Sequence, residues 1–332
     1  MNIISLSPQA YVYGHEVFYK NQLYRLILLL TITLLSFKLA KAQTPDDAIL
    51  MNSGEACVLL NYSDAQFDHY WEGSGLRVNE TIATVSRNTV MPMIAVGVIP
   101  RLNFYIATPY VQTSSSNPNG GRFAGASGLQ DLSLAAKYEL IQKESKVGNF
   151  SALASIGFST PMSNYLSDYM PYSLGLGTPQ FNYSAIAQYG FKKGPYLRIS
   201  GAYLWRGYTE AERDYYYNGG SFYTPWMDVP NAFAVNGVLG SWLFGNRIKL
   251  EANLNRFQSL SGDDIRAYNA AQPTNKVETT SAGILGQYYP KNLKGLGFVV
   301  NHIRTLSGRN SGKLNSTSIG LTYQFGFLKK EK

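Results

Sequence analysis

Residues 316–332 read STSIGLTYQFGFLKKEK, and the first two thirds of this stretch alternate strictly. Ile319, Leu321, Tyr323, Phe325 and Phe327 fall on one side of a period-2 pattern, while Gly320, Thr322, Gln324 and Gly326 fall on the other. In an extended chain successive side chains point to opposite faces, so the segment presents one wholly apolar face ending in aromatics and one small or polar face.

The pattern recurs upstream. In LQDLSLAAKYEL, Leu132, Leu134, Ala136, Tyr138 and Leu140 alternate with Asp131, Ser133, Ala135, Lys137 and Glu139. In RIKLEANLN, Ile248, Leu250, Ala252 and Leu254 oppose Arg247, Lys249, Glu251 and Asn253, and FNYSAIAQYGF sets Phe181, Tyr183, Ala185 and Tyr189 against Asn182, Ser184 and Gln188. These are half-buried strands with one polar face.

The connections separate a soluble sandwich from a barrel. Short breaks (Pro100-Arg101, QKESKVG, KKG, FGN, PKNLKG) alternate with long polar or aromatic stretches such as SSSNPNGGRFAGASG, PMSNYLSDYMPYSLGLGTP, EAERDYYYNGGSFYTPWMD and SGDDIRAYNAAQPTN. Tight turns at one end and long loops at the other characterise an up-and-down transmembrane barrel, whereas a sandwich has no reason to segregate them. The expected fold is therefore all-β, an antiparallel transmembrane barrel of about twelve strands with periplasmic turns and extracellular loops. The expected strands lie near 55–63, 80–99, 102–113, 129–140, 149–160, 180–191, 195–207, 230–243, 247–258, 277–289, 295–306 and 315–327.

Composition agrees. Of 332 residues 45% are hydrophobic and 14% aromatic, but only 15% are charged, the difference being taken up largely by 25 tyrosines and 31 glycines. A typical soluble domain carries roughly 25% charged residues. Near the N-terminus Lys20 and Arg25 precede the apolar run Leu26–Phe37, and Ala40-Lys41-Ala42 forms an A-x-A cleavage site. This is the pattern of a secretory signal peptide; the run is shorter than the roughly 20 residues of a membrane helix. Residues 1–42 are thus expected to be an N-terminal extension and signal peptide, 43–54 a short periplasmic segment, 55–327 the barrel and 328–332 a polar periplasmic tail. The four cations and one acid that leave with residues 1–42 lower the formal charge from +8 to +5. No basic run of five survives, so nucleic acid is not an expected partner. Cys57 is the only cysteine, which excludes an intramolecular disulfide. Mean hydropathy is −0.15, and no second long apolar run suggests a membrane helix.

In such a barrel the apolar row of the last strand faces lipid, with Leu321, Tyr323, Phe325 and Phe327 forming the membrane-assembly strand. Its aromatic finish resembles the signal read by barrel-assembly machinery, with five further residues after Phe327. Candidate lumen-lining residues are Asp131, Lys137, Glu139, Arg198, Arg206, Lys249 and Glu251, which either border a passage or pair with one another to close it. The loops concentrate aromatics: Trp71, Tyr165, Tyr169, Tyr172, Tyr216 and Trp226 are candidates for capturing an apolar ligand at the outer mouth, or else belong to the interfacial girdle and loop packing. Two histidines remain after the signal peptide, His69 and His302, and G-x-S-x-G is absent, so neither a Ser-His hydrolase nor a metal site is expected and no cofactor is implied.

GLQDLSLAAKYEL, followed by FSTPMSNY and LGLGTPQ, resembles the outer-membrane barrel family named for the phenol-degradation MetA pathway, over residues 125–185. Gln130 stands where that family has a second glycine and PMSN replaces its loop motif, as in a divergent, Bacteroidetes-type branch. The resemblance implies an outer-membrane transporter for small hydrophobic or aromatic compounds, distantly akin to fatty-acid channels. For a barrel in the outer membrane, the expected state is a monomer in contact with the lipid bilayer and lipopolysaccharide. Fatty-acid channels carry an N-terminal hatch; QTPDDAILMNSGEA is too short for a folded one, so the expected lumen has no plug. The alternatives are a non-conducting structural or adhesion barrel and, further off, an outer-membrane hydrolase.

Overall fold

The computed structural model of the protein describes residues 44–266 and 270–327. The expected signal peptide and the tail at 328–332 lie outside them.

Twelve antiparallel strands close into one barrel. They are β1 (Glu55–Phe67), β2 (Val85–Ile99), β3 (Leu102–Ala107 continued as Tyr110–Asn119), β4 (Phe123–Leu129 continued as Asp131–Glu144), β5 (Gly148–Pro161) and β6 (Gln180–Phe191). The second half comprises β7 (Pro195–Arg206), β8 (Ala232–Leu243), β9 (Ile248–Ser259), β10 (Glu278–Tyr288), β11 (Leu296–Arg309) and β12 (Asn315–Gly326). Each pairs with its neighbours in sequence, and β1 pairs with both β2 and β12, with Leu60 opposite Pro92 on one side and Leu321 on the other. Closure leaves no backbone edge, which a sheet in hydrocarbon cannot tolerate. The ten unbroken strands run 11–15 residues. A tilted strand needs about 9–11 to cross a bilayer, so each can span. β3 is interrupted at Thr108-Pro109, where proline has no N–H to give the ladder.

The faces follow the alternation. Leu60, Ile106, Leu134, Leu250, Ile319 and Leu321 are exposed on the outside, while Thr322, Lys137 and Lys249 point inward and are buried. A belt of exposed apolar side chains round the whole circumference far exceeds the few hundred Å² a soluble monomer shows. Aromatics gather at its two margins. Phe181 lies 4.9 Å from Phe158 and 5.7 Å from Trp205 towards the long-loop end, and Tyr189–Phe191 and Tyr323–Phe325 pair at 5.0 and 5.8 Å towards the short-turn end. Two girdles bounding an apolar band are what a bilayer requires of a barrel.

Short turns join β2–β3, β4–β5, β6–β7, β8–β9 and β10–β11 at one end, and the longer connections stand at the other. The stretch expected as the loop SSSNPNGGRFAGASG is instead a tall hairpin: β3 runs to Asn119 and β4 resumes at Phe123, turning through Gly120 and Gly121, whose φ of 59° and 73° suits glycine. The sequence window stopped at residue 113 because serine and asparagine there weaken the strand pattern, whereas cross-strand pairing supplies the order.

The largest departure from expectation is inside. Residues Thr44–Gly54 do not hang free of the barrel but lie against its inner wall. Gly97 of β2 packs so closely under this segment that a Cβ there would stand 2.2 Å from Asn52 O. Met51 is buried among Cys57, Leu59, Met93, Ala95 and Tyr105, all inward-facing. The segment is too short for a folded hatch, yet an extended chain needs no fold of its own when the wall supplies its contacts.

Candidate functional site

Period-2 alternation sends every second side chain of each strand into the lumen, so the site is assembled from strands distant in sequence. Towards the short-turn end, Lys137 of β4 is fully buried; its Nζ lies 2.9 Å from Asp47 Oδ1 and donates to the carbonyls of Thr44 and Asp47 at 2.7 and 2.9 Å. Across the lumen, Arg198 of β7 forms a two-pronged pair with Glu251 of β9 at 3.0 and 3.3 Å. Lys249 stands 3.3 Å from the same carboxylate, and the Tyr196 hydroxyl donates to it. Two rings back the cations: Lys137 lies 5.1 Å above Tyr105 and Lys249 5.8 Å above Trp242. Burial works to raise the carboxyl pKa of Asp47, but Lys137, then Lys249 and Arg198, outweigh it and hold the group below the usual carboxylate range.

The lumen therefore has two chemistries. One side, on β1 to β3, is apolar: Cys57, Leu59, Met93, Ala95 and Tyr105. The other, on β6 to β9, carries Arg198, Lys249 and Glu251 with Asn182, Ser184 and Asn236, whose side-chain oxygens meet no hydrogen-bond partner among the described residues. Cys57 is thus a packing residue.

The remaining lumen candidates stand apart from this cluster. Asp131 and Arg206 stand towards the long-loop end: Asp131 accepts a hydrogen bond from Tyr165 at 2.6 Å, and Arg206 reaches Gln180 at 2.8 Å while lying 5.4 Å over Phe257. Glu139 faces Arg101 at 3.8 Å near a short turn. Of the seven, Lys137, Arg198, Lys249 and Glu251 meet in one electrostatic cluster.

The outer loops fold onto the mouth. Arg87, inward on β2, donates to the carbonyls of Ser173 (3.1 Å) and Leu174 and to Gln130 at 3.2 Å. Tyr172 inserts between Ile82 and Val85 with its ring edge-on to Phe123, and its hydroxyl meets Ser115 at 2.7 Å. The next loop ties on through Thr209–Ser167 and Arg213–Asp168, both at 2.8 Å, and Gln272 Nε2 donates to Tyr217 O. This overturns part of the expected capture surface. Trp71, Tyr172 and Tyr216 are buried in loop packing. Tyr165 is committed to Asp131 and to the Gly177 amide, and burial, then that carboxylate, raises its phenol pKa, so it remains a donor. Only Tyr169 and Trp226 of the six stay exposed. Loop aromatics bury themselves because each ring removes a large apolar area from water.

Sequence reading missed Asp47, Arg87, Tyr105 and Tyr196. The inward register of Tyr105 and Tyr196 was readable from alternation; the role of Asp47 was signalled only by an acidic pair just ahead of strands with surplus inward cations. His302 Nδ1 lies 3.0 Å from Thr317 Oγ1 on the exterior, away from the lumen. Among the described residues no group of three or more His, Cys, Asp or Glu side chains converges as a metal site would require.

A closed twelve-stranded barrel with an apolar belt, paired aromatic girdles and a charged interior defines a transmembrane β-barrel of the porin-like, outer-membrane type. The chain belongs to the family described as "Putative MetA-pathway of phenol degradation", which it matches over residues 63–321. Its fold is similar to that of an outer-membrane channel from Pseudomonas putida F1, with a TM-score of 0.68 at 14% identity over 86% of this chain and 100% of that one. Weaker likenesses include the NanC porin (TM-score 0.45, 9% identity, 82% of this chain and 100% of that one) and the CymD monoaromatic hydrocarbon channel (TM-score 0.39, 10% identity, 85% and 90%). Among curated proteins none matches.

Proposed function

We propose that the protein admits small hydrophobic or aromatic compounds passively across the outer membrane, with the long loops outside the cell and Thr44–Gly54 on the periplasmic side. The observation that carries this reading is the two-sided lumen: an apolar wall of Cys57, Leu59, Met93 and the Tyr105 ring faces a wall of polar and charged side chains that includes Ser184, Arg198, Lys249 and Glu251. A purely structural barrel has no need of polar side chains set opposite an apolar wall across its interior. A solute or water in transit would contact both. Family membership and the channel-like fold support the same reading. No energy source or cofactor enters it, and the lipid bilayer, lipopolysaccharide and the assembly machinery are its expected surroundings.

The alternative is a non-conducting barrel that acts through its loops. Its support is the interlocked mouth, where Arg87, Tyr172 and the Arg213–Asp168 pair hold three loops together. Purified protein in planar bilayers, combined with uptake of monoaromatic solutes by cells lacking the gene, decides between them. Conductance with impaired uptake in the deletion supports the channel; a silent bilayer with unimpaired uptake supports the structural barrel.

A further inference from the structure

We propose that the luminal cations form a carboxylate-binding subsite for amphiphilic organic anions, such as aromatic carboxylates, and that Asp47 occupies it as a built-in stand-in for the solute. The inference rests on the channel reading above and narrows its substrate class.

The argument begins with a mismatch of charge. The wall presents Lys137, Arg198 and Lys249, and among the described residues the one wall carboxylate within 4 Å of any of them is Glu251, which is already shared by Arg198, Lys249 and Tyr196. Among the described residues Lys137 has no wall carboxylate at hydrogen-bond distance. Its ammonium is instead held by Thr44 and Asp47. A fully buried ammonium requires a counter-charge, because desolvation of an unpaired ion is costly. Whatever displaces Asp47 must therefore bring an anionic oxygen. A neutral hydrocarbon cannot.

The surroundings specify the rest of the ligand. Directly beneath Lys137 lies the Tyr105 ring, and Cys57, Leu59 and Met93 continue the apolar surface from it. A ligand with its carboxylate on Lys137 and its ring or short chain on this wall satisfies both. Asp47 and Met51 already imitate that pairing, one supplying the carboxylate and the other the apolar contact. The segment is anchored at its end near β1 by the Gly54 amide on Gly97 O at 2.9 Å, and further along Lys137 grips Thr44 and Asp47, whose carboxylate also accepts from the amides of Thr44 and Ile49.

The test uses the full mature protein in detergent and in liposomes, with benzoate and benzyl alcohol as probes of nearly equal size, one anionic and one neutral. Calorimetric titration should show benzoate binding at least about tenfold tighter than benzyl alcohol, the factor expected for one charge-assisted hydrogen-bonded pair. Lys137→Gln should erase that preference. Asp47→Asn, which removes the competitor without altering the wall, should tighten benzoate binding several-fold; it keeps the proposal testable should Lys137→Gln fail to fold. Equal binding of the two probes, or benzoate binding unchanged or weakened in Asp47→Asn, overturns the subsite. Liposome swelling with neutral solutes reads the channel separately: swelling without benzoate preference defeats the subsite alone, and neither swelling nor binding defeats both.

Discussion

The Lys137 ammonium and the Asp47 carboxylate meet at 2.9 Å although 90 residues separate them, and their side chains are 0% and 7% exposed. The pair joins the extended segment ahead of β1 to the wall of β4. Because Asp47 is the only carboxylate among the described residues that Lys137 touches, the contact acts as a latch. Asp47→Asn should shift the opening equilibrium of Thr44–Met51 by about 1.5–3 kcal/mol, the worth of a charge-assisted hydrogen bond. Limited proteolysis at neutral pH should then cut within 44–54 while the barrel stays heat-stable. Glu139→Gln should have less than about 1 kcal/mol of effect, since Arg101 is half exposed and the contact is long. Equal protease resistance of Asp47→Asn and the parent protein excludes the latch.

The latch should be insensitive to mild acid. Asp47 has a folded-state pKa depressed below its ordinary 3.8, because Lys137, Lys249 and Arg198 outweigh its burial. A depressed carboxyl contributes stability that is complete above the unfolded value and lost as pH falls through the folded one. Asp46 beside it and Glu251 and Tyr196 opposite complete the charged and titratable surroundings, with Tyr105 below. Single-channel conductance should thus stay constant from neutral pH through mild acid and rise only as pH falls below the ordinary carboxylate range. A step near pH 6 would assign control to another group.

Arg87 should control the outer mouth. Arg87→Ala removes the donors to Ser173 O, Leu174 O and Gln130 at once, and the loop at 162–179 loses its tie to β2. Larger or flickering single-channel currents are expected, with unchanged thermal stability of the barrel. Identical current traces would show that the loop does not limit passage.

The two faces of β12 should respond differently to charge. Leu321, exposed on the lipid belt, should lose about 2–4 kcal/mol on change to arginine near mid-membrane. Ser318→Arg, inward and half-buried, should be mild. Thr322 is a poor luminal comparison, being 1% exposed with Gly297 and Tyr289 against it. Equilibrium unfolding from lipid vesicles measures both, and equal losses would contradict the facing.

Topology is checked on intact cells. A membrane-impermeant thiol reagent should label Tyr223→Cys, whose site is 84% exposed at the long-loop end, and spare Lys192→Cys in the β6–β7 turn. Labelling of both, or only of the second, would reverse or remove the proposed orientation.

The strands and their faces, the tall β3–β4 hairpin excepted, were determined by the sequence alone. Residues 180–191 were expected as a strand and are β6, and the apolar rows of β9 and β12 face outward as their alternation required. This is legible because period-2 patterning is local: lipid on one side and a wet lumen on the other write themselves into consecutive residues. The inward register of Lys137, Arg198, Lys249 and Glu251 came from the same rule. What tertiary structure decided is which inward residues meet, because closing a barrel places strands far apart in sequence across one small space, and no local pattern encodes that. Asp47 reaches Lys137 only once β1, β2 and β4 share a wall, and Trp71, Tyr172 and Tyr216 became packing rather than mouth only when their loops found one another. An irregular loop carries no periodicity that could announce its burial; that is settled by the apolar area its rings can remove from water in the assembled fold.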